Sequence, residues 1–426
     1  MLPRNRLVQL CRKSISGLLG SSRRARSSRA VAEIVDQEGQ VSDQHAEKPC
    51  PVSAYNEWDP LEEVIVGCAE GSRVPYFTKE ISAARNPGRL DKTELGRQWK
   101  ALQGKPFPPE LTVKASAEVD EFVKILELEG VTVKRPEHID WNEIGELKTP
   151  DFTEGGFLNS CPRDSLVVIG NEIIESTMSW RCRYFQNRPF KKLCIEYFQQ
   201  GAKWTCAPQP IMSDGVLYRE DYPLDSKEKL LERVAKGEFL ITETQPCFDA
   251  ADIIRAGKDI FVQLSHVTNN LGIDWLRRQL GPDYRVHSMQ FLDPNCYHVD
   301  ATFLILKPGL ALINPTRPPV AINGEPTNFK RFFQSNGWET IECPEPTVPR
   351  GTFFSSKWLA MNMLSLDENR VLCDHNQKSI HEVLEKYGIE PIKVNLESAH
   401  WFNGSFHCWT VDVRRRGDLK SYFDVS

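Results

Sequence analysis

One pattern returns five times along this 426-residue chain, and it restricts the fold more than any other feature. An amphipathic helical stretch runs into a glycine, and a short strand-like segment follows. The first case is Val119–Leu126 into Gly130 and then Val131–Lys134; the others meet Gly201, Gly281, Gly337 and Gly388. Each glycine suits a helix end, because it takes the left-handed conformation that closes the last turn. Between these units lie apolar hairpins with a turn signal, at Leu166–Ile174, Ile253–Phe261, Phe303–Ile313 and Met363–Leu372. Hairpin, helix and strand make a ββαβ module, so the expected fold is α/β, one domain of five modules. Polar residues stand where the hairpins begin: Asp164, Asp252, Asp300, Asn362 and Cys408. Modules arranged about a common axis would bring those positions to one central pocket. Gly237, after the helix-like Lys227–Lys236, falls outside the count and reads as an insertion.

Charge divides the chain unevenly. The net charge is −5, yet residues 1–32 hold eight basic residues, from Arg4 to Arg29, and no acid. The remainder carries 45 basic against 58 acidic residues, a net of −13. So acidic a body binds nucleic acid poorly. The Arg- and Ser-rich start, with leucines interleaved, reads as a mitochondrial transit peptide over 1–32, with a disordered basic tail as the alternative. Residues 33–55 are polar and read as a flexible lead-in to a domain at 56–426. The 12 cysteines lie scattered without a C-x-x-C pair or metal-type spacing, so neither a metal site nor a disulfide scaffold is expected.

Chemistry concentrates in four segments. Phe402-Asn-Gly-Ser-Phe-His-Cys-Trp409 places a cysteine after a glycine-containing turn, at the start of a β-rich run from Phe406 to Val413. Asp293-Pro-Asn-Cys-Tyr-His-Val-Asp300 sets a histidine two residues from a carboxylate. Cys247–Asp252 and Pro162-Arg-Asp164 add further acids. A thiol, an imidazole and several carboxylates, each at the head of an apolar strand, make a site able to grip a planar cation. Neighbours in a strand face opposite ways, so if Cys408 faces the pocket, His407 faces away into packing. His298 and Asp300 share a face, which favours His298 as the working imidazole.

Taken in order, these motifs resemble the amidinotransferases. The likeness spans nearly everything after the leader, including Tyr55–Gly67, Gly170–Ile174, Gly201–Trp204, His298–Phe303, Ser355–Trp358, Phe406–Trp409 and Asp412–Gly417. It is strongest to the mitochondrial branch that uses glycine as acceptor. The resemblance implies a pentein-like propeller of five ββαβ modules with pseudo-fivefold symmetry, shared with arginine deiminases. It implies transfer of the amidino group of L-arginine to glycine through an amidino-cysteine, giving ornithine and guanidinoacetate, a step of creatine biosynthesis. In that scheme Cys408 is the nucleophile, His298 the general acid and base, and Asp249 the carboxylate that orients it. Asp164 and Asp300 hold the guanidinium; Arg317, Ser355 and Ser356 hold the amino-acid end of the donor. No cofactor and no metal is implied, whereas a homodimer and peripheral contact with the inner mitochondrial membrane are.

One loop departs from that branch. Cys296 and Tyr297 precede His298 where Pro-Met is usual, and the loop, with Asn295 and Tyr297, shapes the acceptor pocket in the family. Three other readings stay open at this point: another amine acceptor, a deiminase-like hydrolase, and a catalytically silent binding scaffold.

Overall fold

Every expected helix forms, and each ends at its glycine. The computed structural model describes residues 49–84, 94–326, 329–347 and 356–423. The expected transit peptide, most of the lead-in, and Ser355 lie outside them. Helix Pro109–Leu128 buries Ala115, Val119, Phe122 and Leu126, one stripe at three- and four-residue spacing. Gly130 follows it at φ +84°. Helices Lys191–Gln199, Asn270–Leu280, Phe329–Ser335 and Lys378–Lys386 repeat the arrangement with glycines at φ +104°, +70°, +77° and +71°. Helix Lys227–Ala235 ends at Gly237 and leads into loop, not strand, in keeping with an insertion.

The strands follow the same rule. Among the described residues they form six sheets, five of them with one internal pattern: a central strand paired antiparallel on one side and parallel on the other. Glu172–Glu175 lies between Leu166–Ile169 and Lys203–Cys206 in this way. Asp259–Gln263, Leu310–Ile313 and Arg370–Asp374 are centred likewise. The fifth sheet joins the two ends of the described chain. Leu61–Val66 pairs antiparallel with Thr410–Arg415 and parallel with Thr132–Lys134.

Short turns head the hairpins: Pro162–Ser165, Ala250–Asp252, Val299–Ala301 and Lys357–Met361. Each packs against the next. The backbone N–H of His407 then donates to the Asn362 carbonyl at 3.3 Å, and that of Arg163 donates to the Cys408 carbonyl at 3.3 Å. The succession therefore returns to its start.

Three expectations change here. Residues 50–55 belong to the folded unit and not to a flexible lead-in. Val52 and Ala54 are buried, and Ser53 exchanges backbone hydrogen bonds with Val413 and Arg415 at 3.0 and 2.7 Å. The run from Phe406 becomes strand only at Thr410, leaving Cys408 on a tight turn. The alternation of strand faces therefore does not apply to it. His407 does not point into apolar packing; it enters a buried ionic cluster.

That cluster ties three modules together. Asp412 receives Arg163 at 2.5 Å and Arg415 at 2.8 Å, and also pairs with Arg255. Arg255 clasps Glu57 with two bonds of 2.7 and 2.8 Å, and His407 stands 3.5 Å from Glu57. All these side chains are buried. Burial alone would raise the Asp412 carboxyl, but Arg163, Arg415 and Arg255 hold it well below its ordinary range. Asp412→Asn takes the shared carboxylate from three buried guanidinium groups and should destabilise the fold by about 3–5 kcal/mol in urea unfolding. Glu62→Gln, which loosens only an exposed pair with Arg416, should cost no more than about 1 kcal/mol. Similar losses for the two would refute the structural role given to Asp412.

Candidate active site

Four of the five head positions meet: Asp164, Asp300 and Asn362 each come to Cys408, whereas Asp252 bonds Gln263, Ser265 and Thr268. Polar atoms of Asp164, His298 and Cys408 lie within 4.8 Å of one another, all buried. Three such donors could hold a cation, and the surrounding acids favour a positive guest of some kind.

Cys408 is fixed from several sides. Its backbone N–H donates to Asn362 Oδ1 at 3.0 Å, and Asn362 Nδ2 donates to its sulfur at 3.1 Å. The thiol donates to Asp300 Oδ2 at 3.2 Å. Gly404 makes the turn possible. It sits at φ +70°, and a Cβ there would come within 2.3 Å of Cys408 Cβ. Any larger residue would push the thiol out of place. The thiol's pKa is raised well above its ordinary value by the hydrogen bond with Cys161, then by burial and by Asp300. Near neutral pH Cys408 is therefore protonated.

His298 also stands in an unusual backbone region, at φ +46°, which costs about 1–3 kcal/mol where the surroundings enforce it. Its ring bridges two acids. Nε2 lies 3.1 Å from Asp249 Oδ2 and Nδ1 lies 3.5 Å from Asp164 Oδ1. A carboxylate only accepts, so the proton on the Asp249 side sits on Nε2 and Nδ1 is left facing Asp164. Burial lowers the imidazole pKa, against the pull of Asp249, so the ring is neutral near pH 7. Tyr297 stacks on His298 at 3.7 Å between ring centres, and Trp180 stacks on Tyr297 at 4.4 Å. Tyr297 thus walls the imidazole.

The acids differ in what holds them. Burial works to raise Asp300, but the hydrogen bond and charge of His407, 3.1 Å away, hold its carboxyl below the usual range. Asp164 pairs through Oδ2 with Arg183 and turns Oδ1 to His298. Asp252 accepts from Gln263, Ser265 and Thr268 at 3.0, 2.6 and 2.6 Å. Burial lifts its carboxyl to about 8 from an ordinary 3.8. The two hydroxyls pull the other way, and Asp249 and Asp300 add to the lift.

Other expected residues sit less centrally. Arg317 lies 3.1 Å from Asp293 and donates to Thr302 Oγ1 at 2.9 Å, so it flanks the turn that carries Asp300. Ser356 accepts from the Trp358 N–H at 3.3 Å and caps its turn. Asn295 directs its amide to the Ala83 carbonyl at 2.9 Å, away from His298. Arg183 was not singled out from the sequence. Its motif, Trp180-Arg-Cys-Arg183, carries no signal of burial, yet the guanidinium is buried on Asp164 and lies 5.3 Å from the Trp180 ring.

A thiol, a neutral imidazole and flanking carboxylates define a pocket built to hold a planar cation against a nucleophile. No protein-family model matches the chain. It is 48% identical over 417 residues to the mitochondrial glycine amidinotransferase of Danio rerio, covering 96% of this chain and 94% of that one. It is 42% identical over 374 residues to an L-arginine:L-lysine amidinotransferase of Pseudomonas savastanoi pv. phaseolicola, with 87% and 96% covered. Among solved structures, an amidinotransferase of a saxitoxin biosynthetic pathway in Microseira wollei aligns with a TM-score of 0.75 at 40% identity, covering 88% of this chain and all of that one. This is therefore a group-transfer enzyme. The chain belongs to the amidinotransferase family.

Asp252 gives a test by pH. Its folded pKa lies above its unfolded one, so the folded state keeps a proton that the unfolded chain has lost. The resulting stability is complete below about 3.8 and drains away as pH rises to about 8, at about 1.4 kcal/mol per pH unit for one proton. Asp252→Asn should remove that component. Urea midpoints taken between about pH 5 and pH 7.5 should fall more steeply for the wild-type chain than for the variant. Parallel slopes would mean that Asp252 is ionised in the fold.

Proposed function

We propose that the chain transfers the amidino group of L-arginine to glycine, giving ornithine and guanidinoacetate, in mitochondria. The observation that carries this reading is the convergence of Cys408, His298, Asp164 and Asp300 within one buried pocket. Relatives named for glycine and for mitochondria support the acceptor and the compartment. So does the Arg-rich leader over 1–32, read as a transit peptide. The five like sheets and the closed succession of turns support a five-module propeller about a pseudo-fivefold axis. A homodimer and a place in creatine biosynthesis complete the proposal.

The chemistry follows from the protonation states. A guanidinium is a poor electrophile because its charge is spread over three nitrogens, so it calls for a soft and strong nucleophile. Asp164 and Asp300 grip the planar cation with paired hydrogen bonds and bring its central carbon to the sulfur. The arriving positive charge offsets Asp300 and favours the thiolate. The thiol proton passes to His298, whose ring stands beside Cys408 and Asp164. The sulfur bonds to the guanidinium carbon. As the bond from that carbon to the ornithine nitrogen breaks, His298 returns the proton to the leaving amine. An amidino-cysteine remains. Glycine's amine then attacks, His298 takes its proton, and the thiolate leaves. An imidazole suits both directions because its pKa is close to neutral. Asp249 fixes the tautomer throughout.

The deciding experiment adds arginine with and without glycine and identifies the products by mass. Ornithine with guanidinoacetate is expected, and citrulline in their place would show that water resolves the intermediate. Cys408→Ser should retain arginine binding and lose turnover. His298→Asn should lose about 10²–10⁴-fold. Tyr297 gives a separate test, since its ring stacks on His298. Tyr297→Met should alter KM or preference across a panel of amines while single-turnover ornithine release stays near wild type. A large drop in that first half-reaction would move Tyr297 into the arginine site.

A further inference from the structure

Cys408 has a second thiol beside it that the transfer reaction does not use. Cys161 is fully buried at the start of the turn Pro162–Ser165. Its sulfur donates to the Asn403 carbonyl at 3.3 Å, on the same loop that leads to Cys408. Gly404 shows how close the pair is. A Cβ built there would lie 3.0 Å from Cys408 Sγ and 3.2 Å from Cys161 Sγ, so the two sulfurs are no more than about 6 Å apart. Nothing larger than a glycine hydrogen separates them at that point. The Arg163 N–H bonds the Cys408 carbonyl at 3.3 Å, which holds the two backbones together. Both thiols are free.

We propose that Cys408 and Cys161 form an oxidative modification site for hydroperoxides, with Cys161 as the resolving thiol. Cys408 passes its thiol proton to the neighbouring His298, and the sulfur attacks one oxygen of hydrogen peroxide. The O–O bond breaks, the sulfur becomes a sulfenic acid, and the other oxygen leaves as water after taking a proton. Cys161 then attacks the sulfenic sulfur, the S–O bond breaks, and a second water leaves. In all, two thiols lose two hydrogens and one peroxide becomes two waters. The disulfide blocks formation of the amidino-cysteine until a dithiol exchanges with it. It also keeps Cys408 from reaching the sulfinic state, from which thiols do not return. Hydrogen peroxide is far smaller than the arginine of the proposed reaction, so an opening that serves that reaction also passes peroxide. Closing the gap to a disulfide length near 2.05 Å needs rotation of two side chains whose backbones are already tied.

The chemical part is independent of the transfer reading, because a cross-link is detected whether or not arginine turns over. The full chain is treated with hydrogen peroxide, quenched, digested without reductant and mapped by mass. A peptide joining Cys161 to Cys408, lighter by two hydrogens, is expected. Ornithine release should fall in parallel and recover after dithiothreitol. Cys161→Ser and Cys161→Ala are each compared with their own untreated activity. Both should lose activity to peroxide and fail to recover it, with two or three oxygens added to Cys408. Absence of the joined peptide from the treated wild-type chain overturns the proposal. So does full recovery of the Cys161 variants after dithiothreitol.

Discussion

Asp412 and the three arginines around it are what the rest of this structure depends on. Charges buried this deeply are costly unless each is answered, and here they answer one another across modules. Arg163 comes from the turn of one sheet, Arg255 from a strand of the next, and Arg415 from the C-terminal strand that also bears Asp412. Glu57 closes the set from the N-terminal side. Three arginines face Asp412, Glu57 and, through His407, Asp300. Apolar packing would tolerate a module slipping by a side chain. Paired guanidinium forks do not, because their hydrogen bonds have one direction.

The same cluster reaches the site. His407 stands between Glu57 and Asp300, and Asp300 accepts both its Nδ1 and the Cys408 thiol. Whatever aligns the modules therefore also aims the carboxylate that touches the sulfur. This explains why His407 is buried among ions. An expectation drawn from strand alternation placed it in packing, but residues 406–409 form a turn, and a turn has no two-residue period.

Much of the fold was legible because it is written locally. Helix stripes, glycine caps and hairpin turns each occupy ten or so neighbouring residues, and all of them formed. Five head positions were also readable, and Asn362 and Cys408 meet as that pattern implied. The fifth sheet was harder. Leu61–Val66 and Thr410–Arg415 pair across almost the whole chain, and nothing local announces such a partner. Arg183 was hidden for a similar reason. An arginine's burial is decided by the acid it meets, and Asp164 lies on another turn. Asn295, next to the loop that enters His298, ties that loop to Ala83 through its amide, a partner more than two hundred residues away that no local pattern announces.

Burial sets the protonation of the reacting groups more than any single residue does. A buried thiol beside a carboxylate stays protonated, and a buried imidazole stays neutral. A cation entering between the acids moves the balance toward the thiolate. A guanidinium does two things at once in the proposed mechanism: it supplies the carbon to be attacked and the charge that makes attack feasible. An uncharged amine or amide of the same size would bring neither. Selectivity for the donor can then rest on charge as much as on shape. The acceptor step has no such lever, because the amine arrives after the donor's charge has become part of the amidino-cysteine. On the proposed reading the choice of acceptor falls to packing about His298, on which Tyr297 stacks with Trp180 behind it.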